Sequence, residues 1–138
     1  MPKSRIKRGS ADKISTPKIT LPVKRDDEVV FSFKYLHKVS FDKTKKSEFL
    51  VKFILRLQAL SSLGWDEINR SDRHQYGWEK IPAACLHPTI TRSPIPDIND
   101  LFCFRASGDN RVFLGVRLSN VFYILFIEAE FGDIYNHN

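Results

Sequence analysis

The last third of the chain contains three short apolar segments, at residues 101–106, 111–118 and 121–128. Each segment is rich in aromatic and β-branched side chains, which favour strands. The intervening stretches, Ser-Gly-Asp-Asn at 107–110 and Ser-Asn at 119–120, are typical of hairpin turns. The pattern therefore predicts an antiparallel meander of three strands, with residues 133–135 as a candidate fourth.

The middle of the chain has a helical period instead. Apolar side chains recur at helical spacing between residues 44 and 62, at Phe49, Leu50, Phe53, Ile54, Leu57 and Leu60. Gly64 ends this predicted helix, and a second, short helix is expected to start at Trp65. Ahead of both helices, residues 29–36 alternate apolar and polar side chains, as a half-buried strand does.

Together these elements predict an α+β fold. An N-terminal strand and two helices are expected to pack on an antiparallel meander of three to four strands. Between the helices and the meander, residues 82–100 contain four prolines and are expected to form an irregular connection. We therefore expect a single folded domain over residues 27–138.

Charge is distributed unevenly along the chain. The net charge is +6, but residues 1–25 alone carry +7 and the remainder carries −1. A stretch so rich in lysine and arginine buries too little apolar surface to fold, so residues 1–26 are expected to form a flexible basic arm. Such an arm is attracted to nucleic acid or to an acidic protein, or it serves only as a solubilising tail.

Several classes of protein do not fit this sequence. No run approaches the ~18 apolar residues of a membrane span, and the N-terminus lacks the apolar centre of a secretory signal, which predicts a cytoplasmic protein with no membrane partner. Cys85 and Cys103 are expected to be reduced thiols, and the Cys85-Leu86-His87 triplet lacks further metal ligands. The glycines are scattered singly, which excludes a glycine-rich phosphate loop. We expect neither a metal nor a cofactor.

A degenerate motif links the final third to a known family. The chain contains F-x-F-R-x-x-G-x-x-R-V-x-x-G, then N-V-F-Y-I-L-F-I-E and D-I-Y. This arrangement after two helices resembles the RelE/ParE superfamily of toxins from toxin–antitoxin systems. The resemblance covers residues 101–138, and the helical part only by order. The basic arm and the proline-rich connection are extra, and residues 128–132 are acidic where many family members are basic.

The resemblance implies a toxin that a cognate antitoxin protein neutralises. RelE-like members cut messenger RNA, often on the ribosome, by promoting attack of a ribose 2′-OH on the adjacent phosphate. ParE-like members inhibit DNA gyrase without obvious acid–base residues. The side chains have to distinguish between these activities.

Cleavage of RNA by transesterification needs a proton acceptor, a proton donor and cations that stabilise the charge on phosphorus. Arginine matches phosphate oxygens with its planar fork. Arg105 and Arg111 flank the turn that contains Gly108, so the two guanidinium groups are expected to converge on one phosphate. Arg117 shares the face of Arg111 if the strand is regular, which makes it a further RNA contact. The alternative is that all three arginines simply face solvent.

Histidine suits proton transfer because its ordinary pKa lies near neutrality. By the resemblance, His137 is the general base or acid, and Tyr135 orients the phosphate or stacks on a base. The 72–80 segment offers a second cluster, with His74 as a catalytic candidate and Arg73, Tyr76, Trp78 and Lys80 as RNA contacts. The alternative for that segment is a loop that Trp78 anchors in the core.

The sequence thus predicts a toxin that cleaves messenger RNA without a metal, neutralised by an antitoxin that covers the groove. A toxin that blocks a replication or gyrase protein remains an alternative, as does a plain nucleic-acid-binding module. The ribonuclease mechanism makes one geometric demand on the fold. Arg105, Arg111, Tyr135 and His137 must share one groove.

Overall fold

The computed structural model describes residues 26–42, 47–73, 75–90 and 97–137. These residues form an α+β fold with three helices and a five-stranded mixed sheet. The elements are β1 (Val30–Ser32), α1 (Val39–Asp42), α2 (Ser47–Ser61), α3 (Trp65–Arg70), β2 (Glu79–Pro82), β3 (Asp100–Arg105), β4 (Val112–Leu118) and β5 (Val121–Ile127). The basic arm falls almost wholly on residues 1–25, outside the described part of the chain.

The antiparallel meander is confirmed. Strands β3, β4 and β5 pair in sequence order, with bounds within one residue of the predicted segments. Gly108 adopts a positive φ of 89° in the first turn, and Ser119 one of 57° in the second. Glycine accepts this conformation without strain, which is why the turn chemistry was readable from the sequence.

The sheet extends beyond the meander on both sides, in the order β1-β5-β4-β3-β2. Strand β2 pairs antiparallel with β3, and β1 pairs parallel with β5. The sequence pattern had predicted that the N-terminal strand packs on the meander. In the structure this strand is instead an edge strand of the same sheet. It is also shorter than predicted, because the chain turns at Lys34 and Tyr35.

The fourth antiparallel strand was predicted in the wrong place. Tyr135 makes only an isolated bridge with Leu86, whereas β2 occupies the position beside β3. Strand β2 has a single buried side chain, Ile81, among four residues. A single buried apolar residue does not produce an alternation of apolar and polar side chains, so this edge strand could not be predicted from the sequence pattern.

One face of the sheet is covered by α2 and α3. Phe49 and Phe53 of α2 and Trp65 of α3 are almost fully buried and pack with aromatic residues of the sheet. The cluster includes Phe104, Phe113 and Phe122, whose rings lie 5.1–5.9 Å apart. Such edge-to-face and stacked contacts add to the free energy of simple burial.

The predicted apolar face of α2 is only partly correct. Phe49, Phe53 and Leu60 are buried, but Leu50 is 37% and Ile54 is 63% exposed. Apolar residues occupy more of the helix circumference than one sheet contact can cover, so periodicity alone could not select the buried stripe.

The opposite face of the sheet is covered partly by the segment after β5. Ile134 and Tyr135 pack on a second apolar cluster with Leu101, Leu114 and Leu125. The backbone of His87 donates a hydrogen bond to the Ile134 carbonyl (2.9 Å), which fixes the C-terminal segment against the chain that follows β2. The last residues therefore lie across the sheet, beside the end of β3.

Gly115 gives a test of the sheet. A β-carbon there would overlap the backbone carbonyl oxygen of Tyr123 and come within 2.9 Å of the Phe122 ring. We expect Gly115→Ala to lower the free energy of unfolding by roughly 3 kcal/mol, because the backbone of β5 would have to move. Gly108→Ala is the control, since a β-carbon there meets nothing within 4 Å and costs only about 1 kcal/mol for its positive φ. Urea denaturation measures both, and an equal loss in the two variants would contradict this packing.

Candidate functional site

A groove of about 440 Å³ lies where β2, the end of β3 and the C-terminal segment meet. Its polar and aromatic lining includes Arg73, Lys80, Arg105, Phe131, Tyr135 and His137. Lys80 and Arg105 come from β2 and β3, Arg73 comes from the loop after α3, and the aromatic rings come from the segment after β5. Among the described residues, this groove is where a histidine and several cations meet.

The imidazole ring of His137 contacts two aromatic rings. Its ring centroid lies 4.1 Å from that of Phe131 and 4.1 Å from that of Tyr135, with interplanar angles near 30°. The Nε2 atom of His137 lies 2.7 Å from an Oε2 oxygen of Glu128, and the imidazole is only 15% exposed. The ring is therefore held both by stacking and by a hydrogen bond.

Glu128 is the buried anchor of this arrangement. It follows β5 directly, is fully buried, and accepts hydrogen bonds from the backbone N–H groups of Val112 (3.1 Å) and Gly132 (2.8 Å). Burial raises the pKa of the Glu128 carboxyl, while the hydrogen bonds from His137 and the two N–H groups oppose that rise. Each Glu128 oxygen accepts a backbone N–H hydrogen bond, and these two bonds favour the carboxylate form.

A histidine bonded to a buried carboxylate is suited to proton transfer. The carboxylate fixes the proton on Nε2 and stabilises the imidazolium that forms when the ring accepts a second proton. The other nitrogen, Nδ1, would then be the atom available for proton exchange with a bound molecule. The sequence pattern pointed to His137 as a candidate and not to Glu128, although an acidic residue directly after an apolar strand is a signal that could have been used.

Three basic side chains line the same groove. Arg105 uses its Nη1 atom to bind the Asp109 carbonyl (3.0 Å) and the Asn110 Oδ1 atom (2.7 Å), so the turn fixes its position. Lys80 is exposed on β2. Arg73 forms an ion pair with Glu79 at 2.9 Å. The fold thus brings Arg105, Tyr135 and His137 together, with Arg73 and Lys80 beside them.

Arg111 does not join them. Its guanidinium lies 4.4 Å from the Phe49 ring centroid, on the helix side, and its Nη2 atom pairs with Asp109 at 2.9 Å. Its Nη1 atom donates to the Ala129 carbonyl (2.8 Å). The expected convergence of Arg105 and Arg111 on one phosphate is therefore wrong.

Strand parity explains the separation. Arg111 and Arg117 share the register of Phe113, which belongs to the helix-side cluster, whereas Arg105 shares that of Cys103 on the opposite face. Arg117 accordingly lies over Trp65, at 4.1 Å from the ring centroid, and donates to the Ser119 carbonyl. The predicted common face of Arg111 and Arg117 is present, but it is the face away from the groove.

Tyr135 plays a different part from the one expected. It is 7% exposed, its hydroxyl hydrogen-bonds the Cys103 sulfur, and burial raises the pKa of its phenol. The His137 ring covers one face of the phenol ring. Tyr135 therefore packs against the His137 ring, and its own ring is not available to stack on a base.

The 72–80 segment divides between core and surface. Trp78 packs against Phe102 at 4.4 Å and donates its indole N–H to Asn69, as the core-anchor alternative had it. Tyr76 is 37% exposed and lies under the guanidinium of Arg56, 4.8 Å from it. His74 lies outside the described residues.

Arg56 of α2 makes contacts near the groove that the sequence did not reveal. Its Nε atom donates to the Arg105 carbonyl (3.1 Å), and its Nη2 atom donates to the Gln75 carbonyl. Burial lowers the pKa of Arg56. The residue ties α2 to the strand end that carries Arg105 and to the loop that follows Arg73, although its helical position had suggested only a polar outer face.

The described residues also lack a metal site and a membrane-spanning helix. Residues 26–42, 47–73, 75–90 and 97–137 hold no group of three histidine, cysteine or acidic side chains placed to bind a metal ion. Within the same ranges, every helix is too short or too polar to span a membrane. No protein-family model, curated protein or solved structure matches the chain. Functional inference therefore depends on the groove itself.

The Glu128 hydrogen bonds can be tested by stability. In Glu128→Gln the carboxamide cannot accept from both backbone N–H groups and from His137, so at least one buried donor is left without an acceptor. We expect the free energy of unfolding to fall by about 1–3 kcal/mol. Glu130→Gln is the control, since Glu130 is exposed and such changes stay within about 0.5 kcal/mol. Equal stability of the two variants by urea denaturation would refute the role of Glu128.

The two cysteines should differ in reactivity. Cys103 is 5% exposed, and burial raises its pKa to about 12, so almost none of it is thiolate at pH 8. Cys85 is exposed at the groove. We expect iodoacetamide at pH 8 to alkylate Cys85 and spare Cys103 in the folded protein, and to alkylate both in urea. Mass spectrometry of peptides reads the result, and equal labelling of the folded protein would contradict the burial of Cys103.

Proposed function

We propose that this chain is a metal-independent endoribonuclease of the RelE type, the toxin of a toxin–antitoxin pair. The observation that carries the proposal is that His137, hydrogen-bonded to the buried carboxyl of Glu128, lies in a groove lined by Arg73, Lys80 and Arg105. This set supplies proton transfer and phosphate binding, which are the two requirements of transesterification.

In this proposal His137 accepts the proton of the ribose 2′-OH as that oxygen attacks the adjacent phosphorus. The Glu128 carboxylate stabilises the resulting imidazolium, which then protonates the leaving 5′-oxygen. Arg105 and Lys80 stabilise the negative charge that gathers on the phosphate oxygens. Products would be a 2′,3′-cyclic phosphate and a 5′-hydroxyl, so atoms and protons balance without a cofactor.

The architecture supports the same proposal at a coarser level. A strand, helices and then an antiparallel meander occur in the order of RelE-like toxins, and Arg105 occupies the strand before the glycine-containing turn. An antitoxin that fills the groove would block RNA and shield the basic side chains. The substrate would be cytoplasmic messenger RNA, free or on the ribosome.

If the chain inhibited gyrase or a replication protein, other features of its surface would matter. It would need a protein-binding surface, and it would have no use for a histidine held by a fully buried carboxylate. Burial raises the pKa of the Glu128 carboxyl, and carboxyl groups with perturbed pKa values cluster at functional sites. The ribonuclease is therefore the better-supported of the two toxin activities.

Substitution of groove residues tests the mechanism. We expect His137→Ala to reduce cleavage of an RNA oligonucleotide by about 10²- to 10⁴-fold, the usual contribution of general acid–base catalysis. Arg105→Ala should also lose activity, whereas Arg117→Ala, which removes the same side chain outside the groove, should keep it. A single 2′-deoxy substitution at the cleaved nucleotide should stop the reaction, because it removes the nucleophile.

Other outcomes would point to the other functions. Full activity of folded His137→Ala would exclude the proposed acid–base role. Toxic expression that halts DNA replication while RNA stays intact would favour the gyrase-type inhibitor. Salt-dependent RNA binding without cleavage would favour a plain binding module.

A further inference from the structure

The two sides of the groove have different chemistry. Lys80, Arg105 and the Arg73–Glu79 ion pair lie on the β2–β3 side, which leaves a net positive charge there that attracts a phosphate. On the other side, the turn after β5 carries the Phe131 ring between the acidic residues Glu130 and Asp133. Carboxylates repel phosphate, so this side suits an uncharged part of a ligand.

Phe131 is the exposed aromatic ring of the groove lining. Its side chain is 55% exposed, whereas Phe104 is 2% and Tyr135 is 7% exposed. One face of the Phe131 ring lies over His137, and the high exposure leaves much of the remaining ring surface open to solvent. Tyr135, His137 and Phe131 thus form a row of three rings in contact, and Phe131 is the exposed ring at its outer end.

The turn that carries Phe131 is held in place. The Gly132 N–H binds Glu128 (2.8 Å), and the Gly132 carbonyl lies 2.5 Å from Nε2 of His87. Asp133 closes the turn, since its N–H binds the Glu130 carbonyl (3.0 Å) and its carboxylate accepts the Glu130 N–H (3.1 Å). The ring is therefore presented without the entropy cost of ordering a loose loop.

We propose that Phe131 is a stacking platform for a nucleobase next to the phosphate that His137 and Arg105 engage. The inference rests on the proposed function, and it adds a base subsite to the site described above. The direct contact between Phe131 and His137 brings the stacked base beside the reacting ribose, so that one ring binds the base while its neighbour handles the proton.

The other aromatic candidates are poorly placed for this role. Tyr76 is covered by Arg56, Trp78 is enclosed by aromatic neighbours, and Tyr135 lies beneath His137. Stacking depends on the area of the π-face, so purines should bind better than pyrimidines.

Binding of a non-cleavable ligand tests the subsite. The probes are an all-2′-deoxy trinucleotide with adenine at each position and the matching trinucleotide with abasic sites, titrated into the full chain by calorimetry. We expect the adenine probe to bind roughly tenfold more tightly than the abasic probe, within the range measured for stacking of one base. Phe131→Leu should remove most of that difference, and Phe131→Trp should keep or increase it.

Phe41→Leu is the matched control. Phe41 is 64% exposed on α1 and does not line the groove, so its loss should leave the affinities for both probes unchanged. Thermal melting of each variant shows whether the fold is intact. In Phe131→Trp, quenching of indole fluorescence by the adenine probe alone reports contact between the ring and a base.

The outcomes separate this inference from the proposed function. Equal affinity of the parent chain for both probes, or an unchanged preference in Phe131→Leu, would overturn the base subsite even if RNA is cleaved. If the chain shows a base preference that depends on Phe131 but cleaves no RNA, the base subsite is supported and the proposed ribonuclease activity is refuted.

Discussion

The site depends on one buried carboxylate. Glu128 directly follows β5, and its two oxygens accept hydrogen bonds from the start of β4, from the turn at Gly132 and from His137. A buried carboxylate without such partners would be strongly destabilising, so these donors have to be in place when the chain folds. The same bonds that satisfy Glu128 therefore bring the last residues back to the sheet and fix the histidine.

The arginines of the meander lie on opposite faces of the sheet. On the helix side, Arg111 and Arg117 lie over the rings of Phe49 and Trp65, where a cation contributes to packing. On the other side, Arg105 lines the groove beside His137. A one-residue shift of register would exchange these roles, because neighbouring side chains in a strand point to opposite faces.

Elements with a strong local pattern were predictable. The meander follows from dense β-branched and aromatic runs with turn residues between them, and α2 follows from its helical period. Strand β2 was missed because Ile81 is its single buried side chain, and the parallel pairing of β1 with β5 was missed because the partners lie some ninety residues apart. At the groove, His137 was a predicted candidate and lines it, whereas the contacts of Glu128 and Arg56 were not predicted, since each depends on contacts that cross elements.

By itself the sequence determined the α+β class of the fold, the meander with its turns, and the presence of Tyr135 and His137 after the last strand. Local propensity and side-chain periodicity decide such features, and both can be read along the chain. Only the tertiary structure decided which arginine faces the groove, that Glu128 holds His137, and that Phe131 is the exposed ring. These depend on register and on long-range packing, which no single stretch of sequence encodes.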